Sequence, residues 1–477
     1  MAIDDPVQPR ADAPDAPDAP DDGENPTTWR ALRPLVRRVH FYAGVLIAPV
    51  LFLAALTGTL YALSYPAEKL MYSHELTVPA GDTAQPLSRQ VAAAQAAHPD
   101  GEVTAVWPAP EDDATTRVLM DSPEVAEDRT LTVFVDPYTA QVRGALETSG
   151  DALPLRAWLS SFHANLQLGE TGRIYSELAA SWMWVVALGG LALWVGRRRA
   201  ARKALPLTRP NRKATGRRRT LSWHGSVGLW AVTGLVVLSA TGLTWSTYAG
   251  ANIDELQTKL GGSTPSVSAT LDGGAAAGGE HAGHHMGGTA PKPGGPDVGI
   301  DKVVEAARAQ GVDSTLQITL PAEGNGYVVK ERDKQFPTHL DSVAVDPADG
   351  RVMDTLRFAD HPLLAKLTRW GIDVHMGMLF GLANQLALAA LGVSLMFLVF
   401  WGYRMWWLRR PTQDRALGFG RPVARGTWRK VPLPVLLPLV AVTAVVGWFV
   451  PLLGISLVAF LVLDVVLGRV AAARAGA

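Results

Sequence analysis

Four histidines, His40, His163, His224 and His375, recur in register along a chain of 477 residues. Neutral imidazoles that face one another across a bundle interior are suitable ligands for a metal. His40 opens one apolar stretch, Arg37 to Tyr61, and His224 opens another, Arg217 to Trp245. Both read as a basic cluster followed by H-x3-G-x12-T-G, so Gly44, Thr57 and Gly58 share their offsets with Gly228, Thr241 and Gly242. His163 and His375 belong to a second shared pattern. There Trp158, Gly169, Trp194, Arg197 and Arg198 match Trp370, Gly381, Trp406, Arg409 and Arg410 at identical spacings. The chain has no cysteine, which excludes disulfides, Fe–S clusters, thiolate metal sites and covalently attached c-type haem. Haem b with two axial histidines is the cofactor this donor set suits, and two such pairs imply two haems.

The elements that must position these residues are membrane helices. Each stretch is an uncharged apolar run of more than about 18 residues, long enough to cross a bilayer at about 1.5 Å per residue. Residues 197–222 carry eleven Lys or Arg and no acid, whereas residues 64–175 carry sixteen acids against seven bases. Basic loops stay in the cytoplasm, so the chain is expected to be a multi-pass protein of the cytoplasmic membrane with both termini inside. Equivalent repeats inserted in one orientation are related by an approximate two-fold axis along the membrane normal. That puts His40 level with His224 at the cytoplasmic face, and His163 level with His375 at the outer face.

The expected division follows the chain. Residues 1–33 form an acidic, Pro- and Ala-rich tail, and 34–65 the first span, too long and too uncleavable for a signal peptide. Residues 66–160 form an outer α+β module, with a helix near Leu87 to His98, strands at Val103–Trp107, Thr116–Met120 and Thr130–Val135, and the turn at Asp136-Pro137. Residues 161–198 hold the segment bearing His163 and the second span, 199–219 a basic loop, and 220–248 the third span. A second outer module covers 249–360, with a Gly- and His-rich linker at 261–298 and a helix at Asp301 to Gln310. Its Val345-Asp346-Pro347 through Val352 stands in phase with Val135-Asp136-Pro137 through Val142. Residues 361–410 repeat the histidine segment and span, 411–430 form a basic loop, and 431–477 a two-helix hairpin broken at Pro451. The fold class is therefore an α-helical polytopic membrane protein: a tandem-duplicated four-helix core, a C-terminal two-helix hairpin and two small extracytoplasmic α+β modules.

Gly44 and Gly228 lie one turn from His40 and His224. A flat group can lie against the bare backbone there, or a neighbouring helix can pack close. Thr57-Gly58 and Thr241-Gly242 lie about 25 Å along the helix from those histidines, so they cannot touch the same haem and are expected to line the outer one. His281, His284, His285 and Met286 are ligand types that suit copper, but in a Gly-rich tract they read first as linker. In His375-Met376-Gly377-Met378 the sulfurs read as core or lipid contacts. The hairpin carries no histidine and one acid, Asp464, and reads as structural. No dinucleotide-binding G-x-G-x-x-G unit, Walker loop or H-E-x-x-H occurs, so nicotinamide, flavin and nucleotide sites are not expected within the chain, and neither is nucleic acid as a partner.

The H-x3-G-x12-T-G helix, the outer module ending in V-D-P-x4-V, the W-x4-H-x5-G segment and the W-x2-R-R exit resemble the PepSY-associated transmembrane family, over about residues 30–410. The resemblance implies two PepSY-like modules, haem b in the helical core at His40, His163, His224 and His375, and reduction of a ferric siderophore on the outer side. The electron donor would be quinol or a cytoplasmic partner. Two other classes remain open from the residues: a membrane-anchored regulator of an extracellular peptidase, since PepSY modules also occur in protease propeptides, and a copper-handling protein.

Overall fold

The computed structural model describes residues 28–200, 208–271, 296–322, 324–409 and 425–475. The first helix, α1 (Thr28–Met71), runs well past the apolar stretch at both ends, with Pro34, Pro49 and Pro66 inside it. Its outer extension is held because Glu68, 3% exposed, accepts the backbone N–H of Arg156 and lies against its guanidinium. A short α2 (Ser73–Leu76) leads to α3 (Leu87–Ala97) and four strands: β1 (Glu102–Trp107), β2 (Thr116–Asp121), β3 (Thr130–Val135) and β4 (Val142–Thr148). Next come α4 (Pro154–Asn165), which bears His163, and the long α5 (Gly169–Ala200).

The same order recurs in the second half. It comprises α6 (Gly216–Leu243), α7 (Tyr248–Lys259), α8 (Ile300–Ala309), strands β5 (Leu316–Thr319), β6 (Tyr327–Glu331), β7 (Ser342–Val345) and β8 (Val352–Leu356), then α9 (Leu363–His375) and α10 (Gly381–Trp407). Two apolar helices, α11 (Leu433–Phe449) and α12 (Pro451–Ala475), close the chain, and the break between them falls at Pro451, which cannot continue a helix. Among the described residues five helices (α1, α5, α6, α10 and α12) are long and apolar enough to cross a membrane, while α11, at 17 residues, is shorter. The chain is thus a mostly helical, multi-pass membrane protein.

Four of the long helices form a ring: α1 packs against α5 and α10, and α6 packs against the same two. That leaves α1 and α6 on one diagonal of the bundle. The helices α5 and α10 begin alike, at Gly169 and Gly381 with φ of +57° and +54°. A side chain there would be strained, which explains the glycine shared by the two W-x4-H-x5-G segments.

Outside the bundle the strands do not form two separate modules. All eight make one antiparallel sheet in the order β4-β3-β2-β1-β5-β6-β7-β8, joined where Ala105 and Val106 pair with Thr319 and Ile318. One apolar core serves both halves: α3 and α8 lie on the same face, burying Val106, Val118, Met120, Val303, Ile318 and Val329 together. The halves are also tied by polar contacts. The Asp301 carboxylate accepts the Leu87 N–H at 2.7 Å at the start of α3, where Pro86 supplies no cap. Asp151, just after β4, accepts both Arg332 and Lys334, just after β6.

One further expectation needs correction. The tract 261–298 is not linker throughout. Its described ends are fixed to the second half of the sheet, with Gly326 N–H donating to Ala269 O at 2.7 Å, Ser268 N–H to Asp354 at 2.8 Å and Val298 N–H to Pro347 O at 2.8 Å. The hairpin is anchored by charge as well as by packing. Asp464 on α12 pairs with Arg38, two residues before His40, and with Arg425 Nε at 3.3 Å. An acid at membrane depth is expensive unless it is paired in this way.

Candidate functional site

The bundle brings the four histidines together as two pairs. His40 on α1 and His224 on α6, the diagonal helices, have ring centroids 6.3 Å apart with planes at 80°. His163 on α4 and His375 at the end of α9 have centroids 6.3 Å apart with planes at 69°. Thr57, which touches the second pair, lies on α1 about 25 Å from His40 at helical rise, so the pairs stand at opposite ends of the bundle.

The Nδ1 atom of every one of these rings has a partner. His40 Nδ1–H donates to Val186 O at 2.9 Å and His224 Nδ1–H to Leu398 O at 3.1 Å, both carbonyls of the helix that follows in the same half. His163 Nδ1 lies 3.0 Å from Thr57 Oγ1, and His375 Nδ1 lies 2.8 Å from Thr241 Oγ1. Those hydroxyls donate to Leu53 O and Val237 O, each at 2.8 Å, so each accepts from its histidine. A carbonyl can only accept. The neutral tautomer is therefore fixed with hydrogen on Nδ1 and the lone pair on Nε2, as a metal-binding histidine held by an outer hydrogen bond requires.

Glycines make the fit possible. A Cβ on Gly58 would meet His163 Cε1 at 3.3 Å, and one on Gly242 would meet His375 Cε1 at 3.5 Å. The Thr-Gly dipeptide is thus the seat of the outer rings, the threonine holding Nδ1 and the glycine clearing the ring edge. Gly190 on α5 does the same for His40, with a Cβ-to-Cε1 distance of 3.0 Å. Sequence reasoning passes over Gly190 although it stands in register with Gly402; of the two, only Gly190 lies against a histidine, and a Cβ at Gly402 would meet nothing within 4 Å. A Cβ at Gly44 would also meet nothing within 4 Å, and one at Gly228 only Leu398 Cδ2 at 3.6 Å, so neither glycine serves a close helix crossing.

The outer pair is braced further. Asp373, wholly buried, is held by Arg369 Nε at 2.8 Å, and its carbonyl accepts the Met378 N–H at 2.8 Å, fixing the turn that carries His375. Tyr65 donates to Met376 O at 2.8 Å, Asn384 Nδ2 to Val374 O at 2.9 Å, and Trp245 stands edge-on to His375 at 5.4 Å.

At 6.3 Å the rings of a pair do not touch, and the gap suits one metal ion bonded to each at about 2 Å. Two nitrogens are half of what a bare tetrahedral ion takes, and among the described residues no group of three or more His, Asp or Glu could hold a metal. Haem iron, which brings four nitrogens of its own, would ask the protein for two more, the number each pair offers. The copper-type tract His281, His284, His285 and Met286 lies outside the described residues.

A family described as the PepSY-associated TM region matches residues 37–409, a stretch that takes in all four histidines and both Thr-Gly pairs. No curated protein matches the chain.

Proposed function

The chain belongs to the family of the PepSY-associated TM region, and on that footing we propose that it is a haem-bearing oxidoreductase of the cytoplasmic membrane that reduces ferric siderophores on the outer side. The observation that supports this reading is the pair of matched histidine sites, each with 6.3 Å between rings and each with its Nδ1 hydrogen spent on a protein acceptor. His40 with His224 would hold one b-type haem and His163 with His375 the other. When bound, such groups supply reversible one-electron chemistry.

The residues of the chain set the conditions for that chemistry. The carbonyls of Val186 and Leu398 and the hydroxyls of Thr57 and Thr241 orient the rings and keep the ligating nitrogens unprotonated. One pair near each end of α1 is an arrangement suited to carrying charge across a bilayer, which a peptidase regulator would not need. We read the two halves as a tandem duplication whose two PepSY-like modules have merged into one sheet, with the basic loops and both termini cytoplasmic. Electrons would come from quinol or a cytoplasmic donor. Reduction is a fitting release step because siderophore oxygens are hard ligands that hold Fe(III) tightly and Fe(II) weakly.

The test is the visible spectrum and haem content of the purified protein. One low-spin haem for each histidine pair, reduced by dithionite and reoxidised by a ferric hydroxamate siderophore with Fe(II) passing to a ferrous trap, is the expected result. Protein that binds no haem, or reduced haem that ignores every ferric chelate, would overturn it.

A further inference from the structure

The sheet face turned away from α3 and α8 carries a group of charges that the histidine sites do not use. Along β2, Val118 and Met120 enter the core, so Arg117, one residue before Val118, faces the other way. Its register partners on either side are Trp107 of β1 and Phe134 of β3, and its guanidinium carbon lies 5.7 Å and 5.6 Å from their ring centres. Arg332 lies over the same Trp107 ring at 3.3 Å. Close by, Asp151 is shared by Arg332 and Lys334, and Arg156 Nε stands 3.2 Å from Glu68 Oε2.

This cluster is short of acceptors. Among the described residues Arg117, Arg156, Arg332 and Lys334 face two carboxylates, Asp151 and Glu68, and Arg156 also donates to the Asp151 carbonyl. Among the described residues no carboxylate lies within ion-pair distance of Arg117. The indole N–H of Trp107 is buried without a hydrogen-bond acceptor, and so is Arg156 Nε, whose approach to Glu68 lacks hydrogen-bond geometry. Burial, then the neighbouring Arg332, pushes the Arg117 guanidinium down to about 10 against the opposing pull of Asp151 and Glu68. Buried donors and unpaired cations are costly, and an anion that satisfies several of them at once is bound in proportion. The cluster meets solvent at its rim, where the side chains of Asp151 and Lys334 are 32% and 22% exposed, while Arg332 is 14% exposed and Trp107 is buried beneath it.

We propose that Arg117, Arg332 and the indole N–H of Trp107 form a binding site for a carboxylate-bearing organic anion arriving from the outer side. The planar guanidinium fork matches the two oxygens of a carboxylate, and a second cation with an indole donor favours a polycarboxylate over a single acid. The inference concerns binding alone and does not rest on the redox reading.

Citrate is the probe. Full-length protein purified in detergent is titrated with citrate by calorimetry at low and at high salt. Saturable binding that weakens as salt rises is expected, with Arg117→Gln weakening it roughly 10- to 100-fold. Arg117→Lys, which keeps charge and loses the fork, should fall between the two. Trp107→Phe keeps the ring stack and removes only one donor, so it should cost several-fold binding in a protein that still folds. No saturable binding, or equal affinity in wild type, Arg117→Gln and Trp107→Phe, would sink the proposal. So would an Arg117→Gln variant that binds citrate normally but shifts the spectrum or potential of bound haem, because the missing acceptor would then be the porphyrin's own propionate.

Discussion

The Thr57 hydroxyl lies 3.0 Å from His163 Nδ1, although the two residues are 106 positions apart, and the hydroxyl accepts because its own hydrogen is given to Leu53 O. Thr57→Val keeps the shape and removes the acceptor. Loss of such an outer hydrogen bond weakens a metal site by about 10- to 100-fold. The variant should therefore show faster haem loss and a shifted reduction potential at the outer pair, and Thr241→Val the same, with the inner pair unchanged. Potentiometric titration of both variants checks this, and two unchanged midpoints would count against the role given to the hydroxyls.

The histidines should fail in pairs. His40→Ala and His224→Ala should each abolish one and the same haem, while His163→Ala and His375→Ala abolish the other, because each ring has a single partner at 6.3 Å. Haem quantified per protein, with the spectrum of what remains, distinguishes the two classes. Four variants with wild-type content would mean that the rings are packing groups.

The orientation rests on the basic loop at 197–222, with eleven cations and no acid. An alkaline phosphatase fusion after residue 205 should be inactive, and one after residue 270, beyond α6, active. The reverse pattern would invert the whole arrangement, placing the sheet in the cytoplasm.

Asp151 couples the two halves of the sheet through Arg332 and Lys334. Burial opposes its charge, but the two cations outweigh burial and hold the carboxyl well below the ordinary carboxylate value of about 3.9. A depressed folded-state value means that the stabilisation is fully present above about pH 4 and is lost as pH falls toward the folded value. Asp151→Asn should lower stability by about 1–2 kcal/mol at pH 7, discounted for partial exposure. The gap to wild type should begin to narrow below about pH 4 and keep narrowing as the pH falls further, which thermal unfolding across the acid range measures. A gap independent of pH would show that the loss is one of packing.

Much of this arrangement is legible from side-chain type and spacing. The offsets of His40 and His224, and of His163 and His375, point to the rings that meet, and the repeated Thr-Gly falls where the outer rings seat. Spacing is silent where a main-chain atom does the work. The carbonyls of Val186 and Leu398 carry no identity in the sequence, and the glycine shared by Gly190 and Gly402 does not announce that only Gly190 lies against a histidine. The strands β4 and β8 lie at the two edges of the sheet and are mostly half-buried, so they lack the buried apolar runs that mark β2 and β3. Nothing local announces that β1 pairs with β5, since the register is set between segments more than 200 residues apart.

That pairing has a consequence for how the protein is made. When the first half leaves the ribosome, β1 has β2 on one side and a bare row of amides and carbonyls on the other. Its mate arrives only after two more long helices, α5 and α6, have been laid down. Until then the nascent chain carries an open strand edge, and the free energy of the shared core is withheld to the end of synthesis. A chain cut between the halves would keep a complete set of strands for its own share and still be unfinished. It would seek a second copy of itself to close the edge, because the surface that β5 normally covers is indifferent to which molecule supplies the strand.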